Sequence, residues 1–173
     1  MKINPQVEEA LNKQMNAEFW SAHLYLSMSA YFETRALKGF ANWMKIQYQE
    51  ELTHAIKIFD YINSRGGVVK LEAIPEVPVK WNSILEVFQE TYNQECKVTA
   101  SIHECYEVAL AQRDHAAANM LQWFIDEQSE EEENALQIVD QLNLIGQENG
   151  QAIYHLDKEL GTRVFVDPTQ PAV

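Results

Sequence analysis

The chain has 173 residues, 46% of them hydrophobic and only five of them proline, which excludes a disordered chain and allows one domain, over residues 1–173, with a substantial core. Its formal net charge of −13 argues against a nucleic-acid partner and is compatible with handling cations. No apolar run approaches the ~20 residues that span a bilayer, and Glu8 and Glu9 oppose a signal peptide, so the expectation is a cytoplasmic protein with no membrane partner.

Glycine and proline cluster at Gly66-Gly67, at Pro75 and Pro78 and near the C-terminus, leaving long segments suited to helices. Asn4-Pro5 reads as an N-cap followed by proline at the first helical position and opens a helix over residues 5–34. Its buried seam is Val7, Leu11, Met15, Glu18, Ala22, Tyr25, Ser29 and Phe32, close to the 3.5-residue repeat of bundle packing. After a short break a second helix, 38–65, folds back antiparallel. It carries Phe40, Met44, Gln47, Glu51, His54, Ile58 and Tyr61/Ile62 on one stripe and stops at Gly66-Gly67.

From Val68 to Lys80 two prolines and the lack of a helical stripe predict an extended connection. About a dozen extended residues at roughly 3.3 Å each span the length of a long helix rising 1.5 Å per residue, so the second and third helices are expected to run parallel. The third helix, 82–112, opens with the capping-box spacing of Ser83 and Glu86, and its seam is Ile84, Phe88, Thr91, Glu95, Val98, Ile102, Cys105 and Ala109. Cys96 and Cys105 lie too far apart on this helix to bridge within the chain and are read as free thiols. Asp114 caps a fourth helix, 115–145, with the seam Ala117, Leu121, Phe124, Gln128, Glu131, Ala135, Ile138 and Leu142. A short fifth helix over 150–160 and a loose tail over 167–173 complete the chain. The fold class is all-α: a four-helix bundle with one long crossover and a short C-terminal helix.

Each long seam is interrupted by a potential metal ligand: Glu18, then Glu51 with His54, then Glu95, then Gln128 with Glu131. The first of these on each helix lies about thirteen residues after the helix start, so helices of equal length packed side by side bring them to one height. Glu51 and His54, three apart, lie on one helical face within reach of one ion. A lone buried carboxylate costs several kcal/mol unless it is paired or bound to a metal, and four at one level repel one another without a cation. An oxygen-dominated set suits iron or manganese and argues against a thiolate zinc site. One ion would see Glu18, Glu51 and His54, the other Glu51, Glu95 and either Glu131 or Gln128. As a neutral amide Gln128 is a poor ligand, and hydrogen bonding to a neighbouring ligand is its alternative role.

With those residues in place, the chain resembles the bacterial non-haem ferritins over almost its whole length. The resemblance implies a hollow homo-oligomeric shell of twenty-four subunits. In it Fe(II) is oxidised by O2 at a di-iron ferroxidase centre inside each subunit and stored as a ferric oxyhydroxide mineral. It further implies a third iron site on the cavity side, at the matching positions Glu50, Glu127 and Glu130. Tyr25 matches a tyrosine that hydrogen-bonds the centre and supplies an electron, with a plain core aromatic as the alternative, and Trp123 also sits at a matching position. Leu52 stands where bacterioferritin-like chains carry a haem-ligating methionine, so no haem is expected. Two cysteines cannot build the rubredoxin domain of rubrerythrin-like proteins. His23, His103, His115 and His155 fall off the seams or away from mid-helix and are expected at the surface. A metal-buffering bundle without turnover is the competing function class, followed by a di-manganese or substrate-oxidising enzyme.

Overall fold

In the computed structural model, which describes residues 2–146 and 149–169, the side chain of Asn4 accepts a hydrogen bond from the Gln6 amide and opens α1 (Pro5–Glu33). The remaining helices are α2 (Lys38–Ser64), α3 (Ile84–Ala111), α4 (His115–Ile145) and α5 (Gly150–Leu160), with no strand among the described residues. Gln147 and Glu148 of the predicted linker, and residues 170–173 of the predicted tail, lie outside the described residues.

Helix α3 begins two residues later than the sequence suggests. Ser83 caps it by accepting from the Glu86 amide at 3.0 Å, but the Glu86 carboxylate turns to the Asn82 amide, one residue upstream of the capping-box partner. Asp114 caps α4 through the Ala117 amide at 3.1 Å, and Gly66 ends α2 with φ 65°, the left-handed conformation that glycine adopts without penalty.

The extended connection after α2 crosses the bundle lengthwise, and its hydrogen bonds trace the path. The Val68 amide donates to Glu8, the Lys70 amide to Asn12 and the Glu72 amide to Asn16, and Ser27 then donates to the Pro78 carbonyl. The segment thus climbs α1 from its first turns to its last third and delivers Trp81 against Tyr31. Since α2 ends beside the start of α1, where the Ile3 amide donates to the Arg65 carbonyl, α3 starts at the opposite end and runs parallel to α2.

The apolar core comes in two blocks. One is built around Phe32, Phe40, Met44, Phe88 and Leu142, with the buried face of α5 (Ile153, Leu156, Leu160) against it. The other gathers Leu11, Met15, Ile58, Ile102, Leu121 and Phe124. Each fully buried large apolar side chain contributes roughly 1.5–3 kcal/mol, enough for the two blocks to hold a polar layer between them.

Helix α5 docks across the start of α2. The Asp157 side chain accepts from the Gly39 amide at 2.8 Å and the Phe40 amide at 3.1 Å, supplying the cap that Leu37 cannot. Contact is so close that a Cβ on Gly39 would lie 1.5 Å from the Asp157 carbonyl oxygen. Glycine is required there by packing, not by its backbone angles.

Candidate metal centre

The polar layer between the two blocks is made by one or more turns of each long helix. From α1 come Gln14, Glu18 and Tyr25, from α2 Gln47, Glu51 and His54, from α3 Glu95, and from α4 Gln128 and Glu131, all of them buried. Because all of these residues but Gln14 occupy the seam positions of their helices, the packing that buries the apolar neighbours buries them too.

Glu18, Glu51 and His54 each bring a ligand atom to within 4.8 Å of the others, and so do His54, Glu127 and Glu131. His54 joins the two groups: its Nδ1 lies 3.7 Å from Glu51 Oε2 and its Nε2 4.0 Å from Glu127 Oε1. Neither distance is a hydrogen bond. Both His54 nitrogens, both Glu51 oxygens and Glu18 Oε2 are buried without a hydrogen-bond partner among the described residues. A buried polar atom left unpaired costs about 1–3 kcal/mol, so several converging on one point form a set that a cation would satisfy. Carboxylates with one imidazole fit iron by donor chemistry.

The other carboxylates have partners. Glu95 accepts from the Tyr25 hydroxyl and, at 3.2 Å, from Gln128 Nε2. Gln128 therefore hydrogen-bonds a neighbouring candidate ligand, as the weaker donor power of its amide suggests. Glu131 accepts from Gln47 Nε2 at 2.7 Å, and Glu18 Oε1 from Gln14 Nε2 at 2.9 Å, with Ser101 in turn donating to Gln14. The edge of the His54 ring is walled by Trp123 and Phe124, at centroid distances of 5.6 and 5.9 Å.

Crowding of carboxylates away from water raises their pKa values. Burial, then the negative charges of Glu95 and Glu18, push Glu51 well above its ordinary 4.5. Burial and Glu131 push Glu95 to about 8, and burial with the neighbouring Glu95 raises the Tyr25 phenol well above 10.0. A cation reverses this balance, since it favours the ionised carboxylates that burial and mutual repulsion disfavour.

The three residues matched to a third site are not gathered into one cluster. Glu127 turns inward toward His54 and Glu131, Glu130 is exposed, and Glu50 forms an ion pair with Arg163 at 2.7 Å. Burial and then the charge of Glu131 carry Glu50 to about 8 and Glu127 to about 7, with Glu127 also raising Glu50 and Glu130 also raising Glu127. His23, His103, His115 and His155 are exposed, and both cysteines are free.

The profile of the ferritin-like domain matches residues 8–145. A bacterial non-heme ferritin of Bacteroides fragilis is 42% identical over 161 residues, covering 93% of this chain and 99% of the relative. The chain belongs to the ferritin-like family. A second bacterial non-heme ferritin, from Staphylococcus aureus, is 41% identical over 163 residues, 94% of this chain and 98% of that one. The crystal structure of an open-pore ferritin from the hyperthermophilic archaeon Archaeoglobus fulgidus matches with a TM-score of 0.93 at 51% identity, covering 95% of this chain and all of that one. These matches support iron storage as the function of this ferritin-like chain, whose described helices include none long and apolar enough to cross a membrane.

Sequence reasoning assigned no role to three residues that touch this ferritin layer: Gln14, Gln47 and Arg163. Gln47 had a legible signal, a polar side chain on the α2 stripe. Gln14 lies beside the α1 stripe and Arg163 follows the last helix, so no periodicity marks either.

Proposed function

We propose that the layer of Glu18, Glu51, His54, Glu95, Gln128 and Glu131 is a ferroxidase centre, at which two Fe(II) ions bind as substrate and leave as Fe(III), each giving one electron to O2, which takes up two protons and departs as hydrogen peroxide. The observation that carries this reading is the convergence of Glu18, Glu51 and His54 on one point with five buried, unpartnered polar atoms among them. Glu18, Glu51 and His54 hold the first ion. Glu51, Glu95 and Glu131 hold the second, with Gln128 and Tyr25 orienting Glu95 through hydrogen bonds. If the Tyr25 phenol, bonded to Glu95, and a third Fe(II) each supply one further electron, O2 takes four electrons and four protons and departs as two waters, and a later Fe(II) re-reduces the phenol.

Glu127, linked to the centre through His54 and Glu131, offers the first step outward. The resemblance matches Glu50 and the exposed Glu130 to a third iron site beyond it, which an arriving ion would draw together with Glu127. Beyond it Fe(III) hydrolyses to a ferric oxyhydroxide mineral, and exposed carboxylates such as Glu130 take up the protons released. Storage of this kind needs an enclosed volume, which twenty-four copies of the chain supply as a hollow shell in the cytoplasm. Leu52, in the position of a haem-ligating methionine, leaves the shell without haem.

The variants Glu18→Ala and His54→Ala test the assignment. Each is expected to slow the first phase of Fe(II) oxidation by at least about tenfold while the oligomer keeps its size. Native rates in both would remove the centre from these residues.

A further inference from the structure

Arg163 is the one cationic side chain that the fold delivers into hydrogen-bond contact with the polar layer among the described residues, and it arrives from outside the four-helix bundle. Its amide donates to the Leu160 carbonyl, and its carbonyl accepts from Asn42 at 3.0 Å. The docking of α5 onto α2 therefore fixes where the side chain starts. The guanidinium then lies 4.9 Å from the centre of the Trp43 ring and forks. Nη1 donates to Gln47 Oε1 at 2.6 Å and Nη2 to Glu50 Oε2 at 2.7 Å.

This fork has two consequences. Gln47 spends its carbonyl oxygen on Arg163, which leaves its amide nitrogen to donate to Glu131 at 2.7 Å, so Arg163 sets the orientation of a group that holds a candidate ligand. Glu50 meanwhile is already occupied by the other prong of the fork, and the Arg163 side chain is 24% exposed against 12% for Glu50. The pair stands at the boundary between the buried layer and the solvent.

We propose that Arg163 is a displaceable stopper on the outward path from the centre: it occupies Glu50 and, through Gln47, holds Glu131 inward, so that an iron ion moving from the buried pair to the outer carboxylates must displace the guanidinium. The proposal rests on the ferroxidase reading of the layer. Arg163 acts through Gln47 and Glu50 and is a positioning residue. By keeping the outer site weak it keeps that site a point of passage and prevents it from becoming a trap.

The test is calorimetric titration of the whole oligomer with Fe(II) under anaerobic conditions, comparing the native chain with Arg163→Gln and Arg163→Lys. The native chain is expected to bind two Fe(II) per chain tightly and a third weakly. In Arg163→Gln the third ion should bind about tenfold more tightly, and in Arg163→Lys, which keeps a charge but not the fork, about threefold. Adding Glu50→Gln to Arg163→Gln should abolish the gain. Loss of a merely structural contact would loosen a site, whereas here a deletion tightens one. An unchanged or weaker third site in both variants overturns the stopper while leaving the centre intact, as does Arg163→Lys alone if Arg163→Gln does not assemble. So does a gain that survives Glu50→Gln. A native chain that binds no tight pair removes the ferroxidase reading and the stopper with it.

Discussion

The Tyr25 hydroxyl donates a hydrogen bond to Glu95 Oε1 at the centre of the bundle, where both side chains are fully buried. It joins α1 to α3 at the level of the candidate metal centre and, with Gln128 on the other carboxylate oxygen, leaves Glu95 held by a donor on each side.

Tyr25→Phe keeps the ring and removes that donor. The change leaves Glu95 Oε1 buried without a partner, which costs about 1–3 kcal/mol, so the metal-free protein should lose stability of that order. Anaerobic Fe(II) binding should stay within about threefold of native, since the Glu18–Glu51–His54 group is untouched, while oxidation slows several-fold. Stopped-flow absorbance beside calorimetry checks the split. Equal losses in binding and rate would mean that Tyr25 supports the site only by packing.

The raised carboxylates give the metal-free protein a distinctive pH dependence. Glu50 and Glu95 are held near 8 in the fold against 4.5 outside it, so over that window the native state binds more protons than the unfolded state. Their contribution to stability is therefore fully present below about 4.5 and is lost as pH rises toward 8. The melting temperature of chelator-treated protein should fall between pH 5.5 and 8, Glu95→Gln should flatten the fall, and a saturating divalent cation should reverse it. A melting temperature that rises through this window and ignores Glu95→Gln would contradict the assignment.

Gly39→Ala places a methyl group where the Asp157 carbonyl already is, and α5 must move. Overpacking of this kind costs about 1–3 kcal/mol, and displacement of α5 also withdraws the Asp157 cap and the Arg163 fork. Thermal melting should fall by several degrees, and the Arg163-dependent weakness of the outer iron site should disappear with it. A native melting curve would show that α5 does not bear on α2.

The bundle and the level of its polar layer were legible in the sequence because both follow from one regularity. A seam position on a long helix is buried whatever occupies it, and Glu18, Glu51, Glu95 and Gln128 lie at equal distances from the predicted helix starts, with Glu95 two residues nearer the observed start of α3. The crossover was legible from the prolines and the missing stripe. Contacts between segments remote in the chain were not. Asp157 reaches Gly39, Arg163 reaches Glu50 and Ser101 reaches Gln14 through docking geometry that no period encodes. Ala36 and Arg113 take left-handed φ angles of 58° and 56° at the two tight interhelix turns, where a sequence reading would look for glycine or asparagine. Glu127 is the instructive case. Resemblance puts it in an outer site with Glu50 and Glu130, and a one-residue step from the Gln128 seam position also brings its carboxylate 4.0 Å from His54 Nε2, a contact no period marks.

Aerobic addition of Fe(II) to the metal-free oligomer, first two per chain and then many, tests the central claim most directly when ferric absorbance and particle size are followed together. The account predicts fast oxidation of the first two, then slower accumulation of ferric iron that stays in solution inside a particle of unchanged outer size. Oxidation no faster than in buffer, with ferric precipitate leaving solution, would contradict it and leave a carboxylate-rich bundle that binds cations without turning them over.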